Sequence, residues 1–117
     1  MTNELVERYV RVWNLTSDDE RRAEVAEIWA PGAVQYTPEN RHDDLYQRVT
    51  SAYRELVADG KHRFVPSGPI HAHHDSVLFT VDMLTTEADA VAWRGEIFLL
   101  LDDEGRVRLD YQYNLNL

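Results

Sequence analysis

From Ser76 onward the apolar residues recur at every second position, whereas ahead of Gly60 they recur at every third or fourth. Val77, Phe79, Val81 and Met83 alternate with Leu78, Thr80, Asp82 and Leu84, and Val107, Leu109, Tyr111 and Tyr113 alternate with Arg108, Asp110, Gln112 and Asn114. Period two belongs to strands and period 3.6 to helices. Between these two runs, Ala90 to Leu101 is long, mostly apolar and able to pair with both neighbours. Thr85 to Asp89 and Asp102 to Gly105 are turn-rich, and Gly105 can supply the positive φ of a tight hairpin. Three strands over 76–85, 90–101 and 106–115, the longest in the chain, are therefore expected as an antiparallel meander.

The first half reads as three helices. Leu5, Tyr9, Val12 and Trp13 form one apolar stripe. Ser17 followed by Glu20 is a capping-box pattern, after which Val25, Ile28 and Trp29 share a face until Pro31-Gly32 stops the second helix. Ala33 to Tyr36 is a candidate short strand. A third helix from Asp43 to Gly60 places Leu45, Val49, Ala52, Tyr53 and Leu56 on one side. Helices followed by a meander give an α+β domain with the helices against one sheet face. At 117 residues, with no repeat or linker, one domain over 1–117 is expected, able to bury roughly two-thirds of its unfolded surface.

Charge and composition narrow the function. Twelve basic against twenty-one acidic residues leave a net charge of −9, which opposes nucleic acid and anionic membrane surfaces as partners. The longest apolar run, Ile97 to Leu101, is too short to span a bilayer, and the N-terminus shows no signal-peptide pattern. A cytoplasmic protein is expected. The chain has no cysteine, so disulfides, thiolate metal sites and cysteine nucleophiles are excluded. His71-Ala72-His73-His74-Asp75 has alternate histidines that could share an ion, but no third ligand follows in a metal-binding frame, and solvated histidines are the expected reading. Asp18-Asp19-Glu20 and Asp43-Asp44 suit helix starts. No serine lies among nucleophile-elbow glycines, and no glycine-rich phosphate loop is present. No metal and no cofactor is expected.

The order helix, helix, short strand, helix and long antiparallel strands resembles the nuclear-transport-factor-2-like (NTF2-like) superfamily. Ile28-Trp29-Ala30-Pro31-Gly32-Ala33-Val34 resembles the corner that follows its second helix, and Asp102-Asp103-Glu104-Gly105-Arg106-Val107 its last hairpin. The resemblance covers nearly the whole chain. It implies a cone-shaped fold in which three N-terminal helices pack on a strongly curved antiparallel sheet around a mostly apolar pocket. Within the superfamily, comparison with ketosteroid isomerase puts Tyr9 at the oxyanion tyrosine, and Trp29 and Tyr53 at two supporting tyrosines. Phe79 to Met83 resembles a wall strand. The two carboxylates of that enzyme are not matched: Thr37 stands at the base and Ile97 at the protonated aspartic acid, so steroid isomerase chemistry is not implied.

The same comparison puts Asp110, Gln112 and Asn114 on the pocket side of the last strand, with Leu109, Tyr111 and Tyr113 outside. The implied pocket has Trp13, Trp29, Thr37, Tyr53, Phe79, Val81 and Ile97 as binding residues beside Gln112 and Asn114, and Asp110 and Tyr9 as catalytic candidates. A carboxyl among apolar walls has its pKa raised and can exchange protons near neutral pH. Ion pairing with Arg94 or Arg108, or facing water, is the structural reading of Asp110, and core packing that of Tyr9. Two functions stay open. One is a SnoaL-like cyclase or isomerase acting on a hydrophobic carbonyl substrate by acid–base catalysis. The other is a non-catalytic ligand-binding or dimerisation module. An epoxide hydrolase would need a second acid bridged by arginine, which Asp82 and Arg94 are not placed to supply. An outer patch of Phe98, Leu100, Leu109, Tyr111 and Tyr113 implies a homodimer.

Overall fold

A computed structural model describes residues 2–115. Three helices, α1 (Thr2–Val12), α2 (Asp18–Ile28) and α3 (Leu45–Ala52), lie against one face of a six-stranded curved sheet. The strands are β1 (Trp29–Tyr36), β2 (Arg41–His42), β3 (His62–His73), β4 (Ser76–Thr85), β5 (Val91–Leu101) and β6 (Val107–Asn114), in the spatial order β2-β1-β6-β5-β4-β3. No described helix is long and apolar enough to cross a membrane.

Local chemistry sets the helix ends. The Ser17 hydroxyl accepts from the Glu20 amide and starts α2, and the Asp44 carboxylate accepts from the Gln47 amide and starts α3. After Ala52 the helix widens into a π turn over Tyr53–Val57. The sequence reading of Pro31-Gly32 as a helix stop needs correction. Helix α2 ends at Ile28, and Pro31-Gly32 lies inside β1, where Gly32 takes φ +80° at an interruption of the β1–β6 register.

The sheet is mixed rather than wholly antiparallel, because β1 runs parallel to β6. Helix α3 and the long chain that follows separate β1 from the later strands, and such a connection permits parallel pairing. The longest strand is also not one of the three expected: β3 has twelve residues and was not foreseen. Pro66, Gly68 and Pro69 break its alternation, which an edge strand with a register shift between Ser67 and His71 tolerates.

Register fixes the two faces. Asp110 pairs with Leu99 and Gln112 with Ile97, and Ile97 and Leu99 are core residues, so this face meets the helices. Tyr111 pairs with Phe98 and with Tyr36 on the opposite, convex face. Val6, Tyr9 and Val10 of α1, Trp13 just after it, and Val49 and Ala52 of α3 close the core against Val77, Phe79, Val81 and Ile97. Burial of this face is the main drive for the fold, at roughly 25 cal/mol per Å² of apolar surface.

Candidate functional site

Between the helices and the inner face of the sheet lies a cavity of about 420 Å³. Its walls include Tyr9, Trp13, Phe64, Val81, Ile97 and Trp93, with Arg48 and Gln112 as polar members. Gly95 makes room for Trp93. A Cβ at Gly95 would lie 2.1 Å from the indole, so only glycine lets the ring lie along β5 toward the cavity, where its Nε1 donates to Asn114 Oδ1 at 3.1 Å.

Behind the wall sits a buried polar cluster. Asp110 has no exposed surface. Its Oδ2 accepts from the Tyr9 hydroxyl at 2.7 Å, from Trp29 Nε1 at 3.2 Å and from Gln35 Nε2 at 3.2 Å. Oδ1 is enclosed and has no hydrogen-bond partner. Gln35, also fully buried, uses its amide in both directions: Nε2 serves Asp110, and Oε1 accepts from Arg48 Nε at 2.7 Å. Tyr9 is thus the link between the carboxyl and the cavity.

Electrostatics follow from depth. Burial pushes the Asp110 carboxyl up to about 6, against the pull of the Tyr9, Trp29 and Gln35 hydrogen bonds and the Arg48 charge. Burial, and then the Asp110 charge, hold the Tyr9 phenol well above its ordinary value. A free phenolate is therefore strongly disfavoured, while a hydroxyl that passes a proton along is not. Burial lowers Arg48, yet a guanidinium stays charged at neutral pH.

The expected residues divide into five groups. Tyr9, Trp13, Val81, Ile97 and Gln112 line the cavity as expected. Asp110 stands behind the wall rather than on it, and Trp29 is one of its donors. Phe79 packs edge-on against Tyr9 at 5.4 Å. Tyr53, at the start of the π turn, is not among the cavity walls; its ring lies under the Arg21 guanidinium at 4.7 Å. Thr37 and Asn114 line an adjoining polar cleft with His42, which shares Arg48 and Gln112 with the main cavity. The ion pairs proposed for Asp110 form elsewhere: Arg94 holds Asp82 at 2.6 Å and Arg108 meets Asp75 at 3.3 Å.

Sequence reasoning missed Gln35, Arg48 and Trp93. Gln35 lies in the anticipated strand segment, one residue from Tyr36, and inward facing was its only signal. Among the described residues no three histidine, aspartate or glutamate side chains gather closely enough to hold a metal ion. His71 and His73 sit exposed on the edge strand, paired with Leu78 and Ser76.

No protein-family model matches the chain, and no curated protein matches it. Solved structures do. A presumed isomerase of the SnoaL-like family from Agrobacterium tumefaciens superposes with a TM-score of 0.88 at 18% identity, over 98% of this chain and 97% of that one. A SnoaL-like protein of unknown function from Burkholderia thailandensis gives 0.74 at 13% identity, over 98% and 95%. A presumed polyketide cyclase from Sinorhizobium meliloti gives 0.67 at 14% identity, over 93% of each. The chain has an α+β fold like that of these SnoaL-like proteins and of a solved NTF2-like protein from Cytophaga hutchinsonii (TM-score 0.66, 11% identity, over 98% of this chain and 90% of that one).

Proposed function

We propose that the cavity binds a small, largely apolar molecule with a carbonyl group, and that the Tyr9–Asp110 pair moves a proton on it, as an isomerase or cyclase requires. The observation that carries this reading is the 2.7 Å bond from the wall hydroxyl of Tyr9 to a carboxyl with no exposed surface. With Asp110 ionised, the Tyr9 proton is directed at Oδ2. A proton leaving the ligand passes to the Tyr9 oxygen as the Tyr9 proton passes to Asp110. With Asp110 protonated, the bond reverses and Tyr9 donates to the ligand oxygen. Removal of a proton at one position and its return at another is an isomerisation. The isomerase and cyclase names of two similar structures agree with that chemistry.

Binding without turnover is the second reading, favoured by the position of Asp110 behind the wall. The test is a screen of apolar ketones against the wild type, Tyr9→Phe and Asp110→Asn, with binding followed by tryptophan fluorescence and turnover by product analysis. The catalytic reading expects losses of roughly 10²–10⁴ in rate for both variants. Binding unaccompanied by turnover of any ketone would favour the module. Ketone affinity unchanged in Tyr9→Phe would remove the role given to the hydroxyl.

A further inference from the structure

Among the described residues Arg48 is the one cation on the wall of the main cavity, and it is incompletely used. Its Nε is taken by Gln35 Oε1, but its terminal amines form neither a hydrogen bond nor an ion pair with any described residue. The guanidinium lies 5.3 Å from the centroid of the Trp13 ring, which leaves its hydrogen-bonding edge unengaged. The side chain is half-buried and borders both the apolar cavity and the polar cleft lined by Thr37, His42 and Asn114. Asp110 and Glu55 act on this guanidinium only through space, with no direct ion pair, and its planar fork matches a carboxylate. The Gln35 contact also restrains its Nε, so part of the ordering cost is met before a ligand arrives.

We infer that Arg48 is an anion anchor and that the molecule taken up by the cavity is an apolar carboxylic acid. Its carboxylate is received by the terminal amines of Arg48, while its apolar body lies against Trp13, Phe64, Val81 and Ile97. This deepens the proposed function and rests on it: a carbonyl at Tyr9 and a carboxylate at Arg48 together describe an oxo acid. Gln35 contacts both Tyr9 and Arg48, at 3.4 and 2.7 Å, so the two oxygen-bearing groups of the ligand would be only a few carbons apart. Charge on the ligand is the new element; hydrophobicity alone would suit the rest of the wall.

Decanoate and decanol share an apolar body and differ in the head, and 2-decanone serves as a neutral carbonyl control. Equilibrium binding of the three at pH 8 and 0.15 M salt, to the wild type, Arg48→Met and Arg48→Lys, separates the possibilities. The inference expects decanoate to bind the wild type about tenfold to a hundredfold more tightly than decanol, the range of a charge-assisted hydrogen bond. Arg48→Met should erase that preference with decanol affinity held within about threefold, and Arg48→Lys should keep part of it. Should Arg48→Met fail to fold, the wild-type ratio and its loss in Arg48→Lys at high salt carry the test. Equal binding of decanoate and decanol to the wild type overturns the anchor but leaves the ketone-binding reading intact, provided 2-decanone binds. A decanoate preference that survives in Arg48→Met also overturns it. If none of the three binds at pH 8 and 2-decanone also fails to bind at pH 5, where Asp110 is protonated, both readings fall.

Discussion

Asp110→Asn tests the electrostatic state of the buried cluster without changing its shape. In the folded protein the carboxyl titrates near 6, against an ordinary value of 3.8. The native state therefore binds this proton more tightly than the unfolded chain does. The resulting stability is complete below about pH 4 and is lost as pH rises to about 6. A displacement of this size corresponds to about 3 kcal/mol. Asparagine keeps an acceptor for Tyr9, Trp29 and Gln35 but cannot ionise, so it lacks that pH dependence. Urea unfolding of both proteins, followed by circular dichroism from pH 3.5 to 8, gives the difference in stability with other titrating groups largely cancelled. Wild type should lose about 3 kcal/mol relative to the variant as pH rises through the window, with a flat difference above pH 7. A flat difference throughout, or one of opposite slope, would refute the reasoning. Opposite slope would mean that the three hydrogen bonds to Oδ2 outweigh burial.

Further outcomes follow from the same geometry. The affinity of an apolar ketone should rise as pH falls through about 6, since protonated Asp110 frees the Tyr9 proton for the ligand; titration calorimetry at pH 5 and pH 8 checks this, with proton uptake at the higher pH. Gly95→Ala places a methyl 2.1 Å from the Trp93 indole and should cost about 1–3 kcal/mol, read by denaturant unfolding, while breaking the Trp93–Asn114 bond. On the convex face, Tyr36 stacks on Tyr111 at 5.2 Å and Phe98 lies 6.3 Å from Tyr111. We propose that this patch pairs two copies of the chain; sedimentation should give a dimer that Tyr111→Glu converts to monomer, and a monomeric wild type would remove the proposal.

How far the sequence could be read depended on whether a signal was local. Alternation in β4 and β6 was visible because both faces of each strand obey it, β5 was legible as a long apolar run between them, and Ser17 announced α2 because a cap acts three residues away. Strand β3 was hidden: its prolines and histidines obscure the pattern, and an edge position removes the penalty that would exclude them. Parallel pairing of β1 with β6 joins segments more than seventy residues apart and leaves no local trace. At the site, the inward face of Asp110 came from the family resemblance, because alternation alone groups it with the polar residues Arg108, Gln112 and Asn114. Its depth was not legible, because whether an inward residue reaches a cavity or lies behind Tyr9 depends on how α1 crosses the sheet. Gln35 and Arg48 come from β1 and α3, and only the folded cone brings them beside Asp110.

The account's central claim is that a ligand carbonyl meets the Tyr9 hydroxyl inside the cavity. Carbon-13 NMR of 2-decanone labelled at its carbonyl reads that contact directly, because a hydrogen bond to the oxygen moves the carbonyl resonance downfield. Below pH 6, where Asp110 is protonated, the bound resonance should lie downfield in the wild type relative to Tyr9→Phe, and the difference should shrink toward pH 8. Identical bound shifts in the two proteins across that range would contradict the claim.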